Sequence, residues 1–272
     1  MLVEKSFDTS EAVLNYAEGP ENGPPLLFLH GGVGHWRSYD EMLPAFTDRY
    51  HVFALDFRGR GRSTRMGDAI NLKNDVDDAS KFIAECIGEA SNVFGHSLGG
   101  WVAIWCANLI PGLVRSIIIF DPPLDLHRLI ERFSSEEARK ALVRNRGLCG
   151  KPVEETYEAL RSHLPWRDRT VRVFAEAYSL CDPKWFDPWI GDDSMDYFDG
   201  FEVDEFLKGI GCPALLIQAD PQRGGEISDK DVRRVMSVNP AIAHVQISGI
   251  GHDFDDVERL IEETTGFLGS LR

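Results

Sequence analysis

The chain has 272 residues, of which 43% are hydrophobic and 27% are charged, proportions that exclude disordered and fibrous proteins. Its length suits one large α/β domain with an insertion better than a string of small modules. Lys and Arg total 29 against 44 Asp and Glu, so the formal net charge is −15. A chain this acidic lacks the basic surface that binds nucleic acid or an anionic membrane.

Cysteine usage and the first residues bear on location and cofactors. The five cysteines are odd in number and none stands in C-x-x-C spacing, which argues against a zinc ribbon or a thioredoxin-type site. The chain does not start with basic residues followed by an apolar run, and no stretch approaches the roughly 18 apolar residues of a membrane span. We therefore expect a cytoplasmic monomer or homodimer with no cofactor, metal, nucleic-acid or membrane partner.

Strand and helix signals alternate through the first 121 residues. Short apolar runs, typical of strands buried on both faces, predict strands at 13–16, 26–29, 52–55, 93–94 and 117–120. Helical spacing of apolar residues predicts helices at 72–87 and 98–109. This alternation is typical of a parallel sheet with helices on both faces.

The alternation stops between Pro122 and about Glu205, where helical patterns dominate, and then returns. The later predicted elements are a strand at 214–217, a helix at 229–237, a strand at 244–247 and a helix at 255–268. We predict an α/β fold with a mostly parallel central sheet flanked by helices. Residues 1–121 and 206–272 form its core, and residues 122–205 form an inserted helical cap over the strand ends.

The cap is rich in aromatic residues, which would either line an apolar pocket or pack the cap helices together. They are Trp166, Trp185, Phe186, Trp189, Tyr197 and Phe198.

The run GHSLG at residues 95–99 lies between a predicted strand and a predicted helix. This is the setting in which a G-x-S-x-G turn exposes a nucleophilic serine, here Ser97. Glycines at 95 and 99 leave space for the sharp turn. The start of the helix offers free N–H groups to a developing anion, and Leu98 would supply one of them.

Two more loops carry candidate site residues. HGGVG at residues 30–34 follows a predicted strand, and Gly32 or Val33 would supply a second N–H to an oxyanion. His252 follows the last predicted strand, within reach of a nucleophile at the sheet edge. Its imidazole can take and return a proton near neutral pH.

Together with DFRGRGRS at residues 56–63, these motifs resemble the α/β-hydrolase superfamily, and the resemblance covers essentially the whole chain. It implies that Ser97 is the nucleophile, His252 the base, and the backbone N–H groups of Leu98 and Gly32 the oxyanion donors. In that superfamily residues 56–63 form mainly a structural turn, so Asp56 is not assigned to catalysis.

The triad acid departs from the family pattern. The family usually carries it after the penultimate strand, where this chain has Gln222 in the expected position and Asp220 two residues earlier. Some members place it at the end of the strand after the nucleophile helix, which corresponds to Asp121. Either carboxylate would steady the imidazole of His252; we favour Asp121, with Asp220 as the alternative.

The resemblance implies a serine hydrolase that cleaves a small-molecule carboxylic ester or lactone through an acyl-serine intermediate. The same triad also serves carbon–carbon, amide and thioester hydrolysis and cofactor-free perhydrolysis. A ligand-sensing protein that retains the fold and signals through its cap is the alternative from another class.

Overall fold

The computed structural model describes residues 2–162, 166–191, 194–253 and 257–271. Within these ranges eight strands form one sheet. The strands are β1 (Val3–Asp8), β2 (Val13–Glu18), β3 (Pro25–Leu29), β4 (His51–Leu55), β5 (Ser91–His96), β6 (Val114–Phe120), β7 (Ala214–Ala219) and β8 (Ala243–Ile247).

Ten α-helices lie in the described ranges. They are α1 (Leu72–Lys81, continued as a π-helix over Phe82–Ile87), α2 (Leu98–Leu109), α3 (Leu126–Ser134), α4 (Glu136–Arg146), α5 (Val153–Arg161), α6 (Asp168–Leu180), α7 (Asp187–Ile190), α8 (Val203–Gly209), α9 (Asp229–Val238) and α10 (Glu258–Ser270). Among the described helices none is long and apolar enough to cross a membrane.

The sheet has the strand order β1-β2-β4-β3-β5-β6-β7-β8. The two pairings that involve β2 are antiparallel, whereas every pairing from β4 to β8 along the sheet is parallel. The predicted fold class, a mostly parallel sheet flanked by helices, is therefore confirmed. β1 was missed because its sequence, VEKSFD, lacks an apolar run: it is an edge strand that is largely exposed.

Apolar side chains cover both faces of the parallel strands. In β3, Leu27 and Leu29 belong to the core shared with α1 and α2, whereas Leu26 and Phe28 belong to the core shared with α10. This alternation follows from the period of two in a strand. It explains why the parallel strands could be recognised as continuous apolar runs.

Helices α3–α8 lie between β6 and β7, where the sequence predicts a helical cap. The predicted boundary at residue 205 falls inside α8, which packs against α2 and α9. The division into core and cap remains a prediction. The predicted start of the last helix, at residue 255, lies outside the described residues.

The crossing of α2 over the sheet is unusually close. A Cβ atom at Gly99 would lie 2.1 Å from the carbonyl oxygen of Leu29 in β3. One at Gly95 would lie 2.1 Å from the carbonyl oxygen of Gly99. The glycines at these positions therefore allow the start of α2 to lie directly on the ends of β3 and β5.

This contact predicts that Gly99→Ala destabilises the fold, because the clash is with backbone rather than with a side chain that can move. We expect a loss of about 1–3 kcal/mol in the free energy of unfolding, measured by urea denaturation. Gly266→Ala is the control, since Gly266 is exposed within α10 and has no atom near its missing Cβ. That variant should be unchanged or up to about 1 kcal/mol more stable. Equal stabilities of the two variants would contradict the packing argument.

Candidate active site

Ser97 lies at the turn between β5 and α2, with φ 52° and ψ −116°. A positive φ is costly for a residue with a side chain and persists only when its surroundings hold it in place. Here the N–H of Ser97 donates to the carbonyl of Phe120, 2.9 Å away in the neighbouring strand β6. The strained turn holds the hydroxyl out at the carboxyl edge of the sheet.

His252 follows β8, and its Nε2 lies 3.1 Å from the Ser97 Oγ. A hydrogen bond holds the backbone of this residue: His96 donates from Nε2 to the carbonyl of His252 over 2.9 Å. The N–H of Asp220 also donates to the carbonyl of Ile250 in the same loop, over 2.7 Å. The imidazole therefore sits over the serine on a loop held at two points.

Asp121 directly follows β6 and has a φ of 50°. Its Oδ2 lies 2.8 Å from Nδ1 of His252, and its side chain is completely buried. The two carboxylate oxygens also accept hydrogen bonds from the backbone N–H groups of Ala219, Glu226 and Ile227. These donors fix the carboxylate, which in turn fixes which nitrogen of His252 faces the serine.

Asp220, the alternative acid, lies elsewhere. Its oxygens accept from the N–H groups of Gln222 and Gly249, at 2.9 and 2.8 Å. These two bonds hold the pKa of Asp220 below its ordinary value. The structure thus brings Asp121 rather than Asp220 to the imidazole. Asp220 instead ties the end of β7 to the loop that carries His252.

Opposing effects set the pKa of His252. Burial favours the neutral imidazole, but the hydrogen bond to Asp121 and the charge of that carboxylate outweigh burial and raise the pKa above its usual value. At the neighbouring His96 the effect of burial is the largest. Burial holds its pKa well below the usual value, so it remains a neutral hydrogen-bond donor.

Of the predicted oxyanion donors, Gly32 and Val33 line the same cavity as Ser97, and Leu98 directly follows Ser97 in the chain. Leu98 is the first residue of α2, and Gly32 and Val33 form the centre of a turn closed by the Gly34 N–H to the Gly31 carbonyl at 3.0 Å. Within the described part of the chain, no protein group accepts a hydrogen bond from the N–H groups of Leu98, Gly32 or Val33. These groups are available to a ligand beside Ser97.

A cavity of about 180 Å³ opens above Ser97 and His252. One wall is the glycine turn, and helix α6, in the segment predicted to form the cap, supplies another. The side chains from α6 are Arg169, Thr170, Val173, Phe174 and Tyr178. A second cavity, of about 250 Å³, is lined mainly by residues of α4, α5 and α6 and shares Phe174 and Tyr178 with the first.

The two arginines of the cavity wall are engaged with carboxylates. Arg37 lies 3.2 Å from Glu4 and 3.6 Å from Glu176. Arg169 lies 2.7 Å from Glu41. Neither guanidinium is therefore an unpaired cation that is available to an anionic substrate.

The aromatic residues singled out from the sequence do not line this cavity. Four of them form a packed cluster in which Tyr197 contacts Trp185, Trp189 and Phe198, with ring centroids 4.7–5.6 Å apart. The packing interpretation therefore fits these four residues, whereas Trp166 lines the second cavity. The cavity residues Phe174 and Tyr178 were missed, although their four-residue spacing on a predicted helical segment places them on one face.

Away from the cavity, Glu18, Glu21 and His51 have potential ligand atoms within 4.8 Å of one another. Glu18 is already paired with Lys5 and His51, at 2.8 and 3.0 Å. These ion pairs account for the approach of Glu18 and His51.

The chain is similar in sequence to known proteins, which align with most of it or with part of it. The chain is 26% identical to N-formylmaleamate deformylase from Pseudomonas putida over 263 residues, covering 88% of this chain and 90% of that protein. It is 30% identical to human serine hydrolase-like protein over 112 residues, 40% of this chain and 55% of that protein. The chain thus spans about half the length of this human relative, and 36% of a second human serine hydrolase-like protein.

Solved structures share the fold over nearly the whole chain. The structure of E-2-(acetamidomethylene)succinate hydrolase superposes with a TM-score of 0.82 at 18% identity, covering 99% of this chain and all of that one. An enol-lactonase from Burkholderia xenovorans gives 0.72 at 14% identity, covering 97% and all of the respective chains. The model of the alpha/beta hydrolase family matches residues 26–263. The chain belongs to the alpha/beta hydrolase family.

Proposed function

We propose that this protein is a serine hydrolase that cleaves a small carboxylic ester or lactone through an acyl-Ser97 intermediate. The observation that carries the proposal is the continuous contact from Asp121 through His252 to the Ser97 Oγ, at 2.8 and 3.1 Å, at the floor of a cavity. A buried carboxylate, an imidazole and a hydroxyl in this order are the groups that acyl transfer requires.

In the first half of the reaction the Ser97 Oγ attacks the substrate carbonyl carbon, and Nε2 of His252 takes the hydroxyl proton. The carbonyl oxygen becomes an oxyanion that accepts from the N–H groups of Leu98 and of Gly32 or Val33. Asp121 holds the Nδ1 proton and stabilises the imidazolium. His252 then gives its proton to the leaving oxygen, and the acyl-serine remains.

In the second half water replaces the alcohol. His252 removes a proton from the water as its oxygen attacks the acyl carbon, and the same N–H groups receive the second oxyanion. Return of the proton to Ser97 releases the carboxylic acid and restores the starting state.

The cavity favours a small substrate. At about 180 Å³ it is smaller than the roughly 300–1,000 Å³ of typical ligand pockets. Phe174 and Tyr178 close it on the cap side. We therefore propose short acyl or lactone substrates rather than long-chain lipids.

Amide hydrolysis is the second candidate. One relative that aligns along most of this chain is named N-formylmaleamate deformylase, a name that describes the removal of a formyl group. A panel of p-nitrophenyl esters, small lactones and N-formyl amides separates the two candidates. Higher kcat/KM for the amides would assign the protein to the second.

The first test concerns the nucleophile. Ser97→Ala removes the attacking oxygen and should lower turnover of the best panel substrate by about 10⁴-fold or more, with the fold intact by circular dichroism. A fluorophosphonate should label the wild type at Ser97, identified by peptide mass spectrometry.

Ser134→Ala serves as the control for that experiment, because Ser134 is exposed on α3 and donates only to the carbonyl of Ile130. It should keep the wild-type rate. Retention of ester turnover by the Ser97 variant would disprove the proposed mechanism. Absence of both turnover and labelling in the wild type would favour the ligand-sensing alternative.

The second test concerns the acid. Asp121→Asn removes the charge that stabilises the imidazolium and permits the wrong tautomer of His252, so kcat should fall by roughly 10³–10⁴-fold. Because Asp121 raises the pKa of His252, its loss should lower that pKa. The base must be neutral to accept a proton, so the acidic limb of the residual kcat/KM profile should move to lower pH.

Asp220→Asn is the matched control for the acid. It removes a carboxylate of the same loop region that binds backbone N–H groups rather than the imidazole. We expect less than a tenfold loss and an unmoved acidic limb. The reverse ranking of the two variants would transfer the role to Asp220.

The third test concerns substrate size. Phe174 borders both cavities, so Phe174→Ala should join them and admit longer acyl chains. The ratio of kcat/KM for p-nitrophenyl octanoate to that for the acetate should rise by about tenfold or more. Phe133→Ala, which removes a ring packed on Trp189 outside the cavity, should leave the ratio unchanged. An unchanged ratio in the Phe174 variant would show that this ring does not limit acyl length.

A further inference from the structure

Arg60 is a completely buried cation in the turn that follows β4. Its guanidinium lies 2.9 Å from Asp75 of α1, which is also completely buried apart from about 1% of its surface. Burying an ion pair is costly unless its remaining donors are also satisfied. The partners of the other Arg60 donors therefore indicate what the buried pair does in the structure.

Arg60 reaches three parts of the molecule besides Asp75. Its Nε donates to the carbonyl of Gly32 over 3.1 Å, and a terminal nitrogen donates to the carbonyl of Arg58 over 2.5 Å. Its guanidinium also lies over the ring of Trp185, 4.4 Å from the centroid. One side chain thus connects the glycine turn beside Ser97, helix α1 and the cap.

The contact with Gly32 determines the direction of a peptide group. In a trans peptide the C=O of one residue and the N–H of the next point in opposite directions. The Gly32 carbonyl points to Arg60, which does not line the cavity, whereas Gly32 and Val33 do. The N–H of Val33 is consequently directed away from Arg60, and Val33 itself lines the cavity.

Packing keeps this peptide from turning over. A Cβ atom at Gly32 would lie 2.7 Å from Trp185, so the indole is pressed against the turn from the cap side. Trp185 is in turn stacked by the guanidinium. On the far side, Asp75 is held by the hydroxyl of Tyr197 at 3.2 Å.

We propose that Arg60 is a positioning residue for the oxyanion site: by holding the Gly32 carbonyl it aims the Val33 N–H at the oxygen of the substrate carbonyl. This inference rests on the proposed acyl transfer by Ser97. Arg60 does not touch the substrate itself. It acts through one peptide group, and the buried pair with Asp75 keeps its guanidinium in place.

The test uses a double variant, Arg60→Met/Asp75→Asn, in the full chain. Removing both charges avoids an unpaired buried carboxylate, and the asparagine oxygen still accepts from Tyr197. The measurements are kcat and KM for p-nitrophenyl acetate, and Ki for 2,2,2-trifluoroacetophenone. In that adduct the Ser97 oxygen bonds to the ketone carbon, the serine proton goes to His252, and the ketone oxygen becomes an alkoxide in the oxyanion site.

We expect kcat to fall by about 10–100-fold, since removal of an oxyanion donor costs about 10²–10³ and misdirection of one costs less. KM should stay within about threefold, and Ki should rise in parallel with the loss of kcat/KM. The matched control is Arg58→Met/Asp78→Asn. In that pair Arg58, from the same turn, lies 2.6 Å from Asp78 of α1, and among the described residues neither side chain hydrogen-bonds to the glycine turn. It should keep kcat and Ki near the wild-type values.

Wild-type kcat and Ki in the Arg60 double variant would overturn the positioning role while leaving the proposed function in place. A loss of kcat without a change in Ki would also overturn it. That pattern would indicate a general structural defect, because a misdirected oxyanion donor must weaken binding of the alkoxide adduct as well. Failure of the wild type to turn over esters and to bind the ketone would instead overturn the proposed function, and the inference with it.

Discussion

The organisation of the candidate site depends on how closely α2 lies on the sheet. The missing side chain of Gly99 lets the helix begin against the carbonyl of Leu29, and this contact is possible only for glycine because the opposing atom is backbone. The chain between β5 and α2 then has no room for a relaxed turn, so Ser97 takes a positive φ. The same geometry places the N–H of Leu98 at the first position of the helix, directly after the serine.

A second strained residue mirrors the first. Asp121 ends β6 next to the end of β5, and it too has a positive φ. Strain of this kind persists where other interactions outweigh it. Here the carboxylate accepts hydrogen bonds from the backbone N–H groups of Ala219, the last residue of β7, and of Glu226 and Ile227 in the segment that follows. Ser97 and Asp121 thus follow the neighbouring strands β5 and β6. The loop after β8 places His252 within hydrogen-bond distance of both.

The sequence was sufficient for the buried strands and for α2, whose predicted and observed limits coincide at Leu98–Leu109. It could not decide between Asp121 and Asp220, because that choice depends on how two loops fold over the sheet edge. Apolar periodicity identifies a cap ring such as Trp189 as buried but does not name its neighbours. A charge between glycines, such as Arg60, suggests a solvated turn; its burial depends on Asp75, a partner from another element.

The ion pairs at the cavity mouth have a kinetic consequence. Because Arg37 and Arg169 are each matched by carboxylates, the local field does not offset the net charge of −15 carried by the whole chain. A long-range field of this sign slows the diffusional approach of anions and leaves neutral molecules unaffected. Added salt screens it over a Debye length of about 8–10 Å at physiological strength. The association rate of a neutral ester is therefore independent of ionic strength, whereas the association rate of a dicarboxylate rises as salt is added.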